Sequence, residues 1–205
     1  MNNARRIALA VLAALMLYIG ETGSATASTA PVFRHDFVGA GAFAFFRITE
    51  GCTQTYVYIQ ASDGRHETSF PKADSMFTSV SEFDTCENRF ILGASDSYTL
   101  NPDALHVSGQ TATLAVTVEM LDQATHATVP TQFSVSWTGI APATRDTYIS
   151  ATNGPFGTTV FRSVGSQQAA VATGTVVYDG TSIDLNTPEE ADLYWNNSGY
   201  IEVTK

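Results

Sequence analysis

The chain has 205 residues, with 10 Lys or Arg against 20 Asp or Glu, so its formal net charge is -10. Only 15% of the residues are charged and 44% are apolar, which is too apolar for a disordered chain. The acidic balance excludes nucleic acid as a partner, since gripping a phosphate backbone needs a positive patch, and the length suits one compact domain with a substantial core.

In chain order, Arg5 and Arg6 come first, ahead of an uncharged run from Ile7 to Ile19. Thirteen residues rise only about 20 Å as a helix, short of the roughly 30 Å hydrocarbon layer. Gly20, Glu21 and Gly23 follow, and then Ala25-Thr26-Ala27 supplies the small residues that signal peptidase accepts. Residues 1–27 therefore read as a signal peptide and 28–205 as a single domain, with an uncleaved anchor as the competing reading. Cleavage leaves 178 residues with 8 basic and 19 acidic side chains. The expected location is extracytoplasmic, periplasmic or secreted, with no stable membrane insertion after processing.

Export decides what two cysteines mean. Cys52 and Cys86 are the only pair, and an oxidising compartment favours their joining. The alternatives are two buried thiols or a redox pair, although no CxxC spacing supports the latter. In the chain-entropy model a 34-residue loop corresponds to roughly 3.8 kcal/mol, from which strain subtracts.

Period-two alternation dominates the remainder. Thr55, Val57, Ile59 and Ala61 point one way and Gln54, Tyr56, Tyr58 and Gln60 the other, which is a strand. Ser62-Asp63-Gly64 then reads as a turn. Residues 42–49, 76–83 and 89–93 are further strands. The alternating run Ala112 to Met120 pairs across Asp122 to His126 with Val129 to Trp137 as an antiparallel hairpin, with Leu121 as a bulge. Trp137 continues a core face. Residues 145–150, 158–164, 169–178 and 200–204 complete the set. Gly165-Ser166 is read as a turn, Asp179-Gly180 as another, and Pro188-Glu189-Glu190 as the opening of a brief helix capped by Thr187. The expected fold is all-β, an antiparallel β-sandwich of about nine to eleven strands, with a β-barrel as the alternative.

Chemistry-bearing patterns are sparse. His35, His66, His106 and His126 form no HxH, HExxH or Cys/His grouping, so zinc has no local signature. GxSxG is absent. The carboxylates nearest a glycosidase arrangement are Glu82 with Asp84, and Glu189, Glu190 and Asp192; they read as a strand end and an acidic first helical turn. Asp63, Asp96, Asp103, Asp179 and Asp184 are the donors that loops would offer calcium, without an EF-hand pattern, and no cofactor is expected otherwise. Asn196-Asn197-Ser198 has N-glycosylation spacing.

The aromatic residues carry more. Tyr56 and Tyr58 stand about 6.8 Å apart on one side of their strand, flanked by Gln54 and Gln60, where rings can stack on sugar faces and amides can take hydroxyls. Tyr194 and Trp195 form a second mixed patch beside Asn196 and Asn197. The competing reading puts Tyr56 and Tyr58 in the core.

Gly51-Cys52 with the strand after it, Ala61-Ser62-Asp63-Gly64, Phe83-Asp84-Thr85-Cys86, Trp137-Thr138-Gly139 and Ala172-Thr173-Gly174-Thr175-Val176 resemble elements of a set of uncharacterised secreted bacterial β-rich proteins. The resemblance covers about residues 50 to 180 and implies export, the cysteine pair and an all-β fold, with no activity attached. The set looks richer in histidine and in a further cysteine after the Trp-Thr-Gly step. This chain has neither between Arg145 and Phe156. The functional expectation is a non-enzymatic exported domain with a structural or adhesive role toward a cell-surface polymer or protein. A carbohydrate-binding module is the alternative, and a secreted hydrolase ranks third. The sequence leaves the oligomeric state open.

Overall fold

The computed structural model describes residues 33–67, 74–154 and 157–204. The segment read above as a signal peptide, residues 1–27, therefore lies outside the described residues. Eleven strands account for nearly all of the rest: β1 (Phe33–Glu50), β2 (Thr53–Glu67), β3 (Asp74–Asp84), β4 (Arg89–Leu100), β5 (Leu105–Ser108), β6 (Thr111–Leu121), β7 (Thr128–Gly139), β8 (Thr144–Gly154), β9 (Gly157–Tyr178), β10 (Thr181–Leu185) and β11 (Pro188–Thr204). Every pairing is antiparallel.

The strands run in the order β4-β3-β2-β1-β11-β9-β7-β6-β5, with β8 and β10 also on β9. The first half of β9 lies between β11 and β8, and the second half between β7 and β10. β9 thus belongs to a larger sheet at one end and a smaller one at the other. The two sheets lie face to face as a sandwich and do not close into a barrel. Gly174, at φ +154°, lies where β7 passes closest: a Cβ there would be 2.0 Å from the Ser134 carbonyl oxygen. Only glycine fits at that point.

The alternating pattern explains what fills the interior. Ala42, Ala44 and Phe46 of β1, Val57 and Ile59 of β2, and Leu193 of β11 face Leu114, Met120, Phe133, Val135 and Trp137 of the smaller sheet. Each large side chain of this kind contributes about 1.5–3 kcal/mol by leaving water. Trp137, 1% exposed, donates its Nε1–H to the Phe43 carbonyl at 2.9 Å and so ties the layers together. Its place on the core face is as the alternation of β7 requires.

At one corner Asp122 is buried and fully used. Its Oδ1 accepts the backbone N–H groups of Ala124 and Thr125 at 2.8 and 2.9 Å, and its Oδ2 accepts the Tyr178 hydroxyl at 2.9 Å. The Thr125 amide is the main reason the Asp122 carboxyl sits below its ordinary range, with burial opposing it. Burial and the same carboxylate push the Tyr178 phenol up. A carboxyl lowered in the fold stabilises above its unfolded pKa of about 3.9, and that contribution is lost as pH falls through the folded-state value.

Several local expectations fail for one physical reason: neighbouring strands claim backbone that would otherwise turn. Gly165-Ser166 is mid-strand, paired with Asp146 and Arg145 on one side and with Asn196 and Trp195 on the other. Residues 158–164 and 169–178 are therefore one strand. Ser62-Asp63-Gly64 stays within β2 opposite Gly41, Ala40 and Gly39, and the register shifts just beyond, where Val38 pairs with His66. The glycine there serves a bulge instead of a turn. Pro188-Glu189-Glu190 opens strand β11 and no helix, with Phe46 opposite Pro188 and Phe45 opposite Glu190. A proline is tolerated at a strand's first residue. Leu121 is no bulge either; it pairs in register with Thr128 and simply faces outward, 48% exposed. The Asp179-Gly180 turn is present, both residues at positive φ.

Cys52 and Cys86 form a disulfide with Cα atoms 5.4 Å apart, joining the β1–β2 turn to the β3–β4 turn. The Thr85 backbone N–H and hydroxyl both donate to the Cys52 carbonyl at 2.8 Å, and Asp84 Oδ1 accepts the Cys86 and Glu87 amides at 2.9 Å. These turns are held by polar contacts as well as by sulfur. Replacing both cysteines, Cys52→Ser with Cys86→Ser, is expected to lower unfolding free energy by about 2–4 kcal/mol while leaving the far-UV spectrum all-β. Urea titration checks this; an unchanged midpoint would show that the polar contacts alone fix the turns.

Candidate interaction surface

On the larger sheet the side opposite the core is not the usual polar exterior. Along β1, Ala40, Ala42 and Ala44 point inward, which leaves Gly41, Phe43 and Phe45 on the outer face. β2 puts Gln54, Tyr56, Tyr58, Gln60 and Ser62 there, β3 adds Phe77, Ser79 and Ser81, and β11 adds Glu190, Asp192 and Tyr194. The rings pack laterally. Tyr58 lies 5.1 Å from Phe43 in a tilted contact and 5.6 Å from Phe77 edge-on, while Tyr56 stacks on Phe45 at 6.2 Å and 16°. Such contacts add about 0.5–1.5 kcal/mol each beyond area burial.

The polar ends of these rings are satisfied within the same strand. The Tyr56 hydroxyl donates to Gln54 Oε1 at 2.5 Å and the Tyr58 hydroxyl to Gln60 Oε1 at 2.9 Å. Both rings are half-buried. Burial first, then electrostatic coupling to the Tyr194 phenol and the Glu190 carboxylate, pushes the Tyr58 phenol up to about 12, so it is a neutral donor at physiological pH. The Tyr/Gln alternation thus lies on the non-core side.

Tyr194 and Trp195 do not form one patch, because neighbours on a strand point to opposite faces. Trp195 pairs with Ala40 and packs against the core. Tyr194 pairs with Gly41 on the outer face, where its hydroxyl lies 2.6 Å from Ser62 Oγ and donates to the Ala61 carbonyl at 3.1 Å. Its phenol is raised by burial, against hydrogen bonds from Ser62 and Gln60. Gly41 makes this possible: a Cβ there would stand 2.3 Å from the Tyr194 hydroxyl oxygen and 2.4 Å from the Ala61 carbonyl oxygen. The structure therefore joins Tyr194 to the Tyr58–Gln60 group and removes Trp195 from it. Phe43, Phe45 and Phe77 were not foreseen as members of this group. The signal for two of them is the run Ala42-Phe43-Ala44-Phe45, which alternates small inward and large outward residues.

The acids take structural partners. Glu82 Oε1 accepts from Thr55 at 3.4 Å, Asp84 closes the disulfide turn, and Glu189 pairs with Arg47. Asp192 accepts from Gln167 Nε2 at 2.8 Å, and its carboxyl is raised by burial with that bond opposing. Glu189, Glu190 and Asp192 are strand residues, not a helical turn. Of the calcium donors considered, Asp96 accepts the Ser97 amide at 2.7 Å, Asp184 lies on β10, and Asp103 and Asp179 lie in turns. Asp63 is on β2; its charge and that of Asp103 follow burial in raising the Asp74 carboxyl. Among the described residues no three His, Cys, Asp or Glu side chains converge as a metal site. No helix among them is long and apolar enough to cross a membrane.

The outer face of the smaller sheet is different in kind. Thr113, Ser136 and Thr173 stand abreast across β6, β7 and β9, with Ser134 and Thr175 in the next row. This face is uncharged at its centre and solvated, as Ser and Thr on a half-buried sheet allow.

No family model matches the chain, and no curated protein does. Among solved structures it is similar to a Nitrosomonas europaea protein provisionally described as an AttH, whose crystal structure was determined at 2.00 Å. The TM-score is 0.27 at 9% identity, with 84% of this chain and 52% of that chain covered, so this chain spans about half of that protein's length. The disulfide that the sequence resemblance implied is present, without a family to attach it to.

Gly41→Ala is expected to lower stability by about 1–3 kcal/mol, because the added methyl meets both a ring and a backbone carbonyl. The same change in a Tyr194→Ala background should cost less. Chemical denaturation of the four variants checks this, and equal costs in both backgrounds would show that Tyr194 does not lie over Gly41.

Proposed function

We propose that this chain is an exported, non-enzymatic interaction domain that meets a polymer or protein surface at or beyond the cell surface through the outer face of its larger sheet. The observation that carries this reading is the packed ring group on the outer side of the larger sheet, where half-buried Phe45, Tyr56, Tyr58 and Phe77 surround a buried Phe43. Aromatic side chains supply large contact area at low entropic cost, and they are enriched where surfaces meet. Contiguous apolar area outside a core marks binding surfaces more often than chance. Export is supported by Arg5-Arg6, the apolar run and the small residues at Ala25 and Ala27, together with a disulfide that suits an oxidising compartment. The structural engagement of Glu82, Asp84, Glu189 and Asp192 favours a non-enzymatic role for these acids.

A neutral polysaccharide is the second reading for the partner. It is favoured by the strict Gln54-Tyr56-Tyr58-Gln60 alternation, which sets ring and amide side by side.

The test is binding of the labelled mature chain to a cell-envelope preparation. Tyr56→Ala with Tyr58→Ala should weaken binding at least about tenfold, the scale of losing two contact residues worth roughly 1 kcal/mol each. Thr113→Ala with Ser136→Ala on the opposite sheet should bind as the unaltered chain does. Equal binding by a folded Tyr variant would contradict the proposal, and competition by soluble neutral polysaccharides would select the second reading.

A further inference from the structure

An open sandwich leaves strand edges, and this one treats them unequally. β5 and β10 are edges of four and five residues. β4 is bridged to the end of β6 by the Ala94–Asp122 pairing and by the Gln123 amide, which donates to the Gly93 carbonyl at 2.9 Å. Short edges and covered edges are the usual protection against unwanted pairing. β8 has neither. It runs eleven residues along β9 without a register shift, from Thr144 opposite Gln167 to Gly154 opposite Gly157, and no strand among the described residues pairs its other side. It contains no Pro or Lys, and its charges are confined to Arg145 and Asp146. From Thr147 to Gly154 it is uncharged and carries Thr147, Ile149 and Thr152, which favour strands. Ile149 is 62% exposed, and Tyr148 packs edge-on against Phe161 at 5.6 Å.

We propose that β8 is a self-association edge: two copies of this chain join antiparallel, β8 to β8, about a two-fold axis centred on Ile149. Two-fold pairing is isologous, so the strand must complement itself. With Ile149 opposite its own copy, Tyr148 faces Ser150, Thr147 faces Ala151, Asp146 faces Thr152 and Arg145 faces Asn153. No like charges meet across the seam, although the whole chain is acidic. The central pair is apolar, and on the other face the two Tyr148 side chains become diagonal neighbours, within the 7–8 Å that aromatic rings can bridge. The Phe161–Tyr148 contact of each copy then continues across the axis. The larger sheet becomes continuous over both copies, and the outer aromatic faces of the two copies extend one surface.

Sedimentation equilibrium of the disulfide-intact mature chain from about 1 to 100 µM tests this. The expected result is a dimer at the upper end of that range. Ile149→Lys should abolish it, whereas Leu121→Lys, on the outer face of the smaller sheet, should leave it intact. A second readout is independent of that variant's folding. Opposed strand residues have Cα atoms about 4.5–5.5 Å apart, within disulfide reach, so Ile149→Cys should oxidise to a covalent dimer while Thr147→Cys should not. A monomer at 100 µM, a dimer unaffected by Ile149→Lys, or cross-linking through Cys introduced at Thr147 and not at Ile149 would each overturn the proposal.

Discussion

A strand of 22 residues spans roughly 70 Å when extended, far longer than one layer of a domain this size. β9 can exist only because both of its edges are paired twice, by β8 and β7 along one side and by β11 and β10 along the other. Its backbone is thereby paired on both sides from Thr158 to Gln167 and from Gly174 to Tyr178, while β7 alone pairs Ala170 to Thr173 between them. The consequence is that one strand belongs to both layers of the sandwich. The core between the layers, the Trp137 bond to Phe43 and the Asp122–Tyr178 corner all depend on that shared strand keeping its register.

The same constraint explains what the sequence shows and what it hides. Alternation in Thr53 to Ala61, Ala112 to Met120 and Val129 to Trp137 identifies strands and their inward faces because each has one apolar side. The hairpin between the last two follows from a connection too short for anything else. Gly165-Ser166 and Ser62-Asp63-Gly64 mislead because turn propensity is a local quantity, and both segments have partners far away in sequence. Pro188 looks like a helix start for the same reason; its neighbour Phe46 lies some 140 residues earlier. β5 and β10 are too short to show a period. The Cys52–Cys86 link was legible from the cysteine count and the expectation of export.

The interaction surface was half legible. Tyr56 and Tyr58 with their flanking glutamines announce themselves by spacing. Phe77 does not, and Phe43 and Phe45 do so only through their alternation with Ala42 and Ala44, because an aromatic residue in an all-β chain is ordinarily assigned to the core. Tyr194 joins the group only through the pairing of β11 with β1, and Gly41 matters only because Tyr194 lies over it. Trp195 leaves it by the elementary rule that adjacent strand residues face opposite ways. The two outer faces therefore differ: one is aromatic and amide-rich with acids at its margin, while the other has small hydroxyls at its centre, with Glu119, Leu121 and Val171 around them.

The central claim is that β9 binds both sheets into one cooperative unit. Residue-resolved hydrogen exchange across Val164 to Val176 tests it most directly. The account predicts that the amides of this segment that donate to a neighbouring strand open with a single free energy, equal to that of global unfolding, on both sides of Ala170. Exchange of the segment paired with β8 and β11 at a distinctly lower free energy than the segment paired with β7 and β10 would mean two sheets that unfold separately, and would contradict it.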